Sequence, residues 1–114
     1  MTATQAATMT WHLVCASSRL QTERGVTALV GVLQVALFRT FDDNVYAVGN
    51  IDPFTGSAVL SRGLVGTRAD RPTVASPLHK QVFDLETGQC LDQPAVSIPR
   101  YRVRVTDDGI EIGI

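Results

Sequence analysis

The cleanest periodicity in the chain lies near its end. Tyr101-Arg102-Val103-Arg104-Val105 alternates apolar and polar at period two, which predicts a strand with one wet face. Asp107-Asp108-Gly109 follows as a hairpin turn, and Ile110-Glu111-Ile112 as the returning strand. Gln81-Val82-Phe83-Asp84-Leu85 alternates in the same way, between a lead-in at Thr73-Val74-Ala75 and a Gly-containing turn at Glu86-Thr87-Gly88-Gln89, with Cys90-Leu91 beginning the return. Earlier, short apolar runs recur at Trp11–Ala16, Val26–Val30, Val35–Phe41 and Val45–Val48. Gly31 ends the second, and Asp42-Asp43-Asn44 separates the last two with side chains that bond their own backbone. Ser17–Gly25 is a polar connection whose Leu20 is expected to point inward. A helix over Leu29–Leu37 is opposed by Gly31 and the β-branched content. Short strands spaced by turns predict an all-β sandwich or barrel.

Gly49–Pro72 is the longest stretch without strand character, with Gly56, Gly63, Gly66 and the run Arg68-Ala69-Asp70-Arg71. It is expected to be irregular, with a short helical turn near Ser57–Ser61, and segments of this kind are usually functional or mobile. Val96-Ser97-Ile98-Pro99 reads as extended, because residues before proline avoid the helical region. No internal repeat or low-complexity linker is apparent.

Composition narrows the function classes. A 114-residue chain is expected to form one domain over 11–114, behind a loose tail at 1–10 that lacks the basic start and apolar centre of a secretory signal. Net charge −1 gives no electrostatic case for nucleic acid or an anionic membrane. No run approaches the ~18 apolar residues of a membrane span. A cytoplasmic location is the expectation. Cys15 and Cys90 have no C-x-x-C partner and read as buried apolar thiols.

The stretch TVASPLHKQVFDLETGQCL (Thr73–Leu91) carries the functional argument. It resembles the second cluster-binding loop of Rieske iron–sulfur domains, where Cys-x-x-His is followed by a strand ending in Phe-Asp and a Thr-Gly turn. Pro77, Leu78, His79, Phe83, Asp84, Thr87 and Gly88 fit that frame, but Ser76 stands at the cysteine position. The resemblance implies a Rieske-like antiparallel β-sandwich with two loops, near 49–56 and 75–80, at one end. The first loop, Cys-x-His in Rieske domains, falls at Asn50-Ile51-Asp52, with Asn50 at the cysteine position and Asp52 at the histidine position. A Rieske [2Fe–2S] centre needs two thiolates and two imidazoles. The four positions Asn50, Asp52, Ser76 and His79 supply no thiolate and one imidazole, and oxygen donors replace soft sulfur poorly.

Over Trp11–Ile112 the chain is similar to the small subunits of NAD(P)H-dependent assimilatory nitrite reductase. Val74–Pro99 carries most of the likeness, supported by Leu60–Arg68 and Val35–Arg39. The resemblance implies an accessory subunit of a cytoplasmic enzyme that reduces nitrite to ammonium in nitrate assimilation. Flavin (FAD), [4Fe–4S] and sirohaem belong to a large catalytic subunit, with neither cofactor nor catalytic residue in this chain. The docking candidates for that partner are Leu78, His79 and Lys80 on the loop, with Arg68 and Arg71 near it. The alternative is a small ferredoxin-like electron carrier with an atypical iron site, and a free-standing binding module is a third reading.

Other constellations compete with ordinary structural roles. His79 with Asp52 and Cys90 would be an unusual mixed metal set, against a loop histidine in solvent. Asp84 and Glu86 read as solvated carboxylates around a turn before they read as an acid–base pair. Ser76 has no visible His–Asp arrangement to activate it. Arg100, Arg102 and Arg104 share one strand face, either solvated or forming, with Arg62 and the loop arginines, a surface for a partner protein.

Overall fold

The computed structural model describes residues 10–114, so the tail expected at 1–10 lies outside the described residues except for Thr10. Among the described residues nine strands follow one another: β1 (Trp11–Cys15), β2 (Gly25–Val30), β3 (Leu33–Arg39), β4 (Val45–Gly49), β5 (Leu64–Arg68), β6 (Arg71–Ala75), β7 (Val82–Asp84), β8 (Arg100–Thr106) and β9 (Gly109–Gly113). The helical pieces among the described residues are two 3-10 turns, Ser17–Arg19 and Leu60–Arg62. The strands form a six-stranded sheet in the order β1-β9-β8-β4-β3-β2 and a three-stranded sheet β5-β6-β7. Every ladder between these strands is antiparallel. The large sheet rolls until β1 lies beside β2. This is the all-β antiparallel architecture that the pattern of short strands predicts.

β3 explains how two cores arise from one chain. Its residues Val35, Ala36, Leu37 and Phe38 are all fully buried, so both faces of the strand are covered. A strand buried on both sides reads as a continuous apolar run without alternation. Ala36 and Phe38 point one way, joining Val48, Leu60, Val74, Phe83, Leu85 and Cys90 between the two sheets. Val35 and Leu37 point the other way, into the roll, with Leu20, Ala28, Ala47, Ile110 and Ile112. Leu20 is thus inward, as expected from the polar connection around it. Burying each Val, Leu, Ile or Phe among them contributes about 1.5–3 kcal/mol.

The structure departs from the sequence reading in several places: Asp84, read as solvated, is buried, Cys15, read as buried, is only half-buried, and the strand read over Gln81–Leu85 spans Val82–Asp84. The third strand starts at Leu33 and ends at Arg39, so Thr40 and Phe41 belong to the turn. The Thr40 N–H donates to the Asn44 carbonyl at 2.9 Å, Asp43 takes φ 67°, and Phe41 is left 74% exposed. Leu64–Arg68, inside the stretch read as irregular, is the edge strand β5, paired along its length with β6. Ala69 and Asp70 link them with positive φ at both positions, the geometry of a two-residue hairpin loop. Alanine rarely adopts that backbone, so the turn carries no sequence signal. The helical turn anticipated near Ser57–Ser61 lies slightly later, at Leu60–Arg62.

Candidate functional site

The two loops at the end of the molecule are held by hydrogen bonds from their own polar residues. Asn50 leaves β4 almost wholly buried. Its side-chain oxygen accepts the Ser61 N–H at 2.7 Å, its amide nitrogen faces Gln34 Oε1 at 3.4 Å, and its carbonyl accepts the Leu60 N–H at 3.1 Å. Asp52 is fully buried. One carboxylate oxygen accepts the Phe54 N–H at 2.8 Å. The other accepts the hydroxyl of Ser76, across from the second loop, at 2.5 Å. Both loops therefore meet at one buried bond, and the expectation that 49–56 and 75–80 share one end is met.

The second loop closes on itself before it reaches outward. The Ser76 N–H donates to the Gln81 carbonyl at 2.9 Å, and the Lys80 N–H donates to the Ser76 carbonyl at 3.0 Å. Lys80 turns the chain with φ 63°. Pro77, Leu78, His79 and Lys80 are all exposed at the tip. His79 makes no hydrogen bond or ion pair among the described residues.

A local repeat that the sequence reading missed organises both ends of the β6–β7 hairpin. Asp52-Pro53-Phe54-Thr55-Gly56 and Asp84-Leu85-Glu86-Thr87-Gly88 share the form D-x-x-T-G. In each, an aspartate oxygen accepts the N–H two residues on at 2.8 Å. In each, the aspartate carbonyl accepts the glycine N–H at 2.7 Å. The threonine hydroxyl accepts the following N–H in both, at 3.2 Å from Ser57 and 3.1 Å from Gln89. The glycines take φ 77° and 81°, a region open to glycine and costly for other residues. The signal was visible as two D-x-x-T-G strings, too short to register as a repeat.

Arg71 begins β6, at the far end from the exposed tip, while the Arg68 guanidinium reaches Asp92, which also accepts the N–H of Val82 at the tip end of β7. Arg68 pairs with Asp92 at 3.1 Å, and Arg71 pairs with buried Asp84 and, at 3.5 Å, with Glu86. The hydrogen bond to Asp84 raises the Arg71 guanidinium further above its ordinary range. The Val82 N–H and then Arg68 hold the Asp92 carboxyl below its ordinary value. Asp84 and Glu86 thus share an arginine around a turn. Cys90 is buried in the core between the sheets.

Comparison with known proteins places this geometry. Residues 10–113 match the family of Rieske-like [2Fe–2S] domains. The nitrite reductase (NADH) small subunit of Escherichia coli K12 is 43% identical over 103 residues, covering 90% of this chain and 95% of that one. A Mycobacterium tuberculosis structure assigned as an NADH-dependent nitrite reductase small subunit superposes with TM-score 0.89 at 50% identity, covering 94% of this chain and 96% of that one. The chain belongs to the Rieske-like family of NADH nitrite reductase small subunits. A further relative differs in kind. The nitrite reductase [NAD(P)H] large subunit of Klebsiella oxytoca contains a segment 36% identical to this chain, covering 90% of it and 11% of the large subunit.

The residues of the two loops do not fit the cluster that the domain family's description implies. Asn50 is engaged by Ser61 and Gln34, Asp52 and Ser76 engage each other, and His79 is exposed. Neither loop holds a thiol, the soft donor that iron–sulfur clusters require. Among the described residues no three His, Cys, Asp or Glu side chains gather as a metal site. The arrangement is a closed polar latch beneath an exposed loop tip.

Proposed function

We propose that this domain is an accessory, non-catalytic small subunit of a cytoplasmic NAD(P)H nitrite reductase, which reduces nitrite to ammonium in nitrate assimilation. It carries no iron–sulfur cluster and acts by binding the large catalytic subunit. FAD, [4Fe–4S] and sirohaem then reside on that partner. The observation that carries the reading is the buried bond from Ser76 to Asp52, which occupies two of the four ligand positions with each other. A carboxylate removed from water needs such a partner, so opening the bond to admit a cluster leaves a buried charge unsatisfied. The Klebsiella large subunit supports the choice of partner, because a segment of the same kind is built into its polypeptide.

The docking site in this reading is the loop end. Leu78, His79 and Lys80 project there, and exposed Ile51 and Val32 flank the first loop around a hollow that also includes Leu33 and Pro99. Clustered exposed apolar residues mark interaction surfaces more often than scattered ones. The test is capture of the purified large subunit by this chain, with nitrite reductase activity measured in the presence and absence of it. Leu78→Ala/His79→Ala/Lys80→Ala is expected to weaken capture at least tenfold. Unchanged capture would remove the loop end as the docking site.

A further inference from the structure

The ladder between β4 and β8 holds only two residue pairs, Ala47↔Tyr101 and Val48↔Arg100. Both strands run on beyond it, β4 back to Val45 and β8 forward to Thr106. Past Tyr101, β8 follows β9 instead. The strands part, and a cleft of about 420 Å³ opens between them, lined by Trp11, Tyr46, Arg100, Tyr101 and Arg102.

The register on β9 shapes one wall. Trp11 and Arg102 both pair with Gly113, so they share a face with only a glycine between them. With no side chain at Gly113, the Trp11 ring reaches across, and the Arg104 guanidinium lies 4.2 Å from its centre. Arg104 also bonds Glu111 and is committed there. Arg100 and Arg102 are exposed, and neither makes a side-chain hydrogen bond or ion pair among the described residues. In a chain of net charge −1, this sets two guanidinium groups without an ion-pair partner among the described residues in one cleft with the Trp11 and Tyr46 side chains.

We propose that this cleft takes an acidic, extended segment of the large subunit, as a second contact separate from the Leu78–Lys80 tip. Guanidinium forks match carboxylates in pairs. Trp, Tyr and Arg are the side chains that anchor protein interfaces. The diverging edges of β4 and β8 offer main-chain pairing to a strand-like guest. The identity of the partner rests on the function proposed above. The chemistry of the cleft does not.

Trp11 is the single tryptophan of the chain, so its fluorescence reports on the cleft directly. Poly-L-glutamate is titrated into the full chain, with an oligothymidylate as a parallel probe. A saturable change in Trp11 emission with poly-L-glutamate is expected. It should weaken at least tenfold in Arg100→Glu/Arg102→Glu and stay within about twofold in Arg19→Glu/Arg24→Glu, which carries the same charge change. Arg100→Gln/Arg102→Gln repeats the test should the charge reversal not fold. No response to poly-L-glutamate, equal loss in both reversals, or tighter binding of the oligothymidylate would each overturn the acidic-peptide site. The same variants are then tested for capture of the large subunit, where a loss of at least tenfold is expected. If poly-L-glutamate binds but only the Leu78/His79/Lys80 variant loses capture, the large subunit is not the guest of the cleft, and the loop docking stands.

Discussion

Asp52 and Asp84 sit at the head of the same five-residue turn, built twice in one chain, and they differ in what meets the second carboxylate oxygen. At Asp84 it is the guanidinium of Arg71, itself 44% exposed at the side chain. At Asp52 it is the hydroxyl of Ser76, with both residues out of reach of solvent. Both solutions follow from one rule, that a buried carboxylate must have each oxygen satisfied. The Asp84 turn ties strands of a single sheet and keeps its charge partner in contact with water. The Asp52 turn ties two loops from different sheets, at positions where the resemblance to Rieske domains puts a histidine and a cysteine. A standard turn, with one serine opposite it, forms a latch at these positions.

The glycines that close the two turns should show the largest contrast. A Cβ at Gly88 would run into the backbone carbonyl of Ile98, while a Cβ at Gly56 would meet nothing within 4 Å. Gly56→Ala carries only the backbone penalty, about 1–2 kcal/mol. Gly88→Ala adds the overpacking cost, for a total of about 3–4 kcal/mol. Urea midpoints of the two variants give the comparison, and equal losses would mean that the second turn yields more easily than its packing implies.

The latch itself comes next. Ser76→Ala strands one oxygen of a buried carboxylate and should cost about 1–3 kcal/mol, with little dependence on salt. Asp52→Asn in that background should recover part of the loss, so a double-mutant cycle should give a coupling of about 1 kcal/mol or more. Arg71→Gln should cost less, about 1 kcal/mol, because the partly exposed ion pair is screened, and the loss should shrink as salt is added. Additive effects at Ser76 and Asp52 would dissolve the distinction between latch and ion pair.

The smallest effect is a titration. The Asp92 carboxyl is held below its ordinary value by the Val82 N–H and Arg68. A depressed carboxylate adds stability that is present above the unfolded value of about 3.9 and is lost as pH falls through the lower folded value. Asp92 is exposed, so the contribution is screened and slight. Asp92→Asn should flatten the acid limb of stability against pH by a small margin. A steeper acid limb in the variant would reverse the sign and refute the assignment.

Much of the fold was legible because its residues obey local rules. The alternation of residues 101–105 and the Asp107-Asp108-Gly109 turn appear as β8, β9 and their hairpin. β5 was hidden because it is a short edge strand with Gly66 at its centre and a turn made by Ala69, which has no turn preference. The end of β3 was misplaced because Phe41 is apolar and its place in a turn is fixed by bonds among Thr40, Asp42 and Asn44. At the site, the positions Asn50, Asp52, Ser76 and His79 came from likeness to a family. The bond between Ser76 and Asp52 did not, because two residues 24 apart carry no sign of contact in a single sequence.

Whether this chain works without iron is tested most directly by anaerobic reconstitution of the purified protein with ferrous iron and sulfide, followed by iron analysis and a visible spectrum. The expected result is a colourless protein with no stoichiometric iron after desalting. Two irons per chain with a Rieske-type spectrum would contradict it.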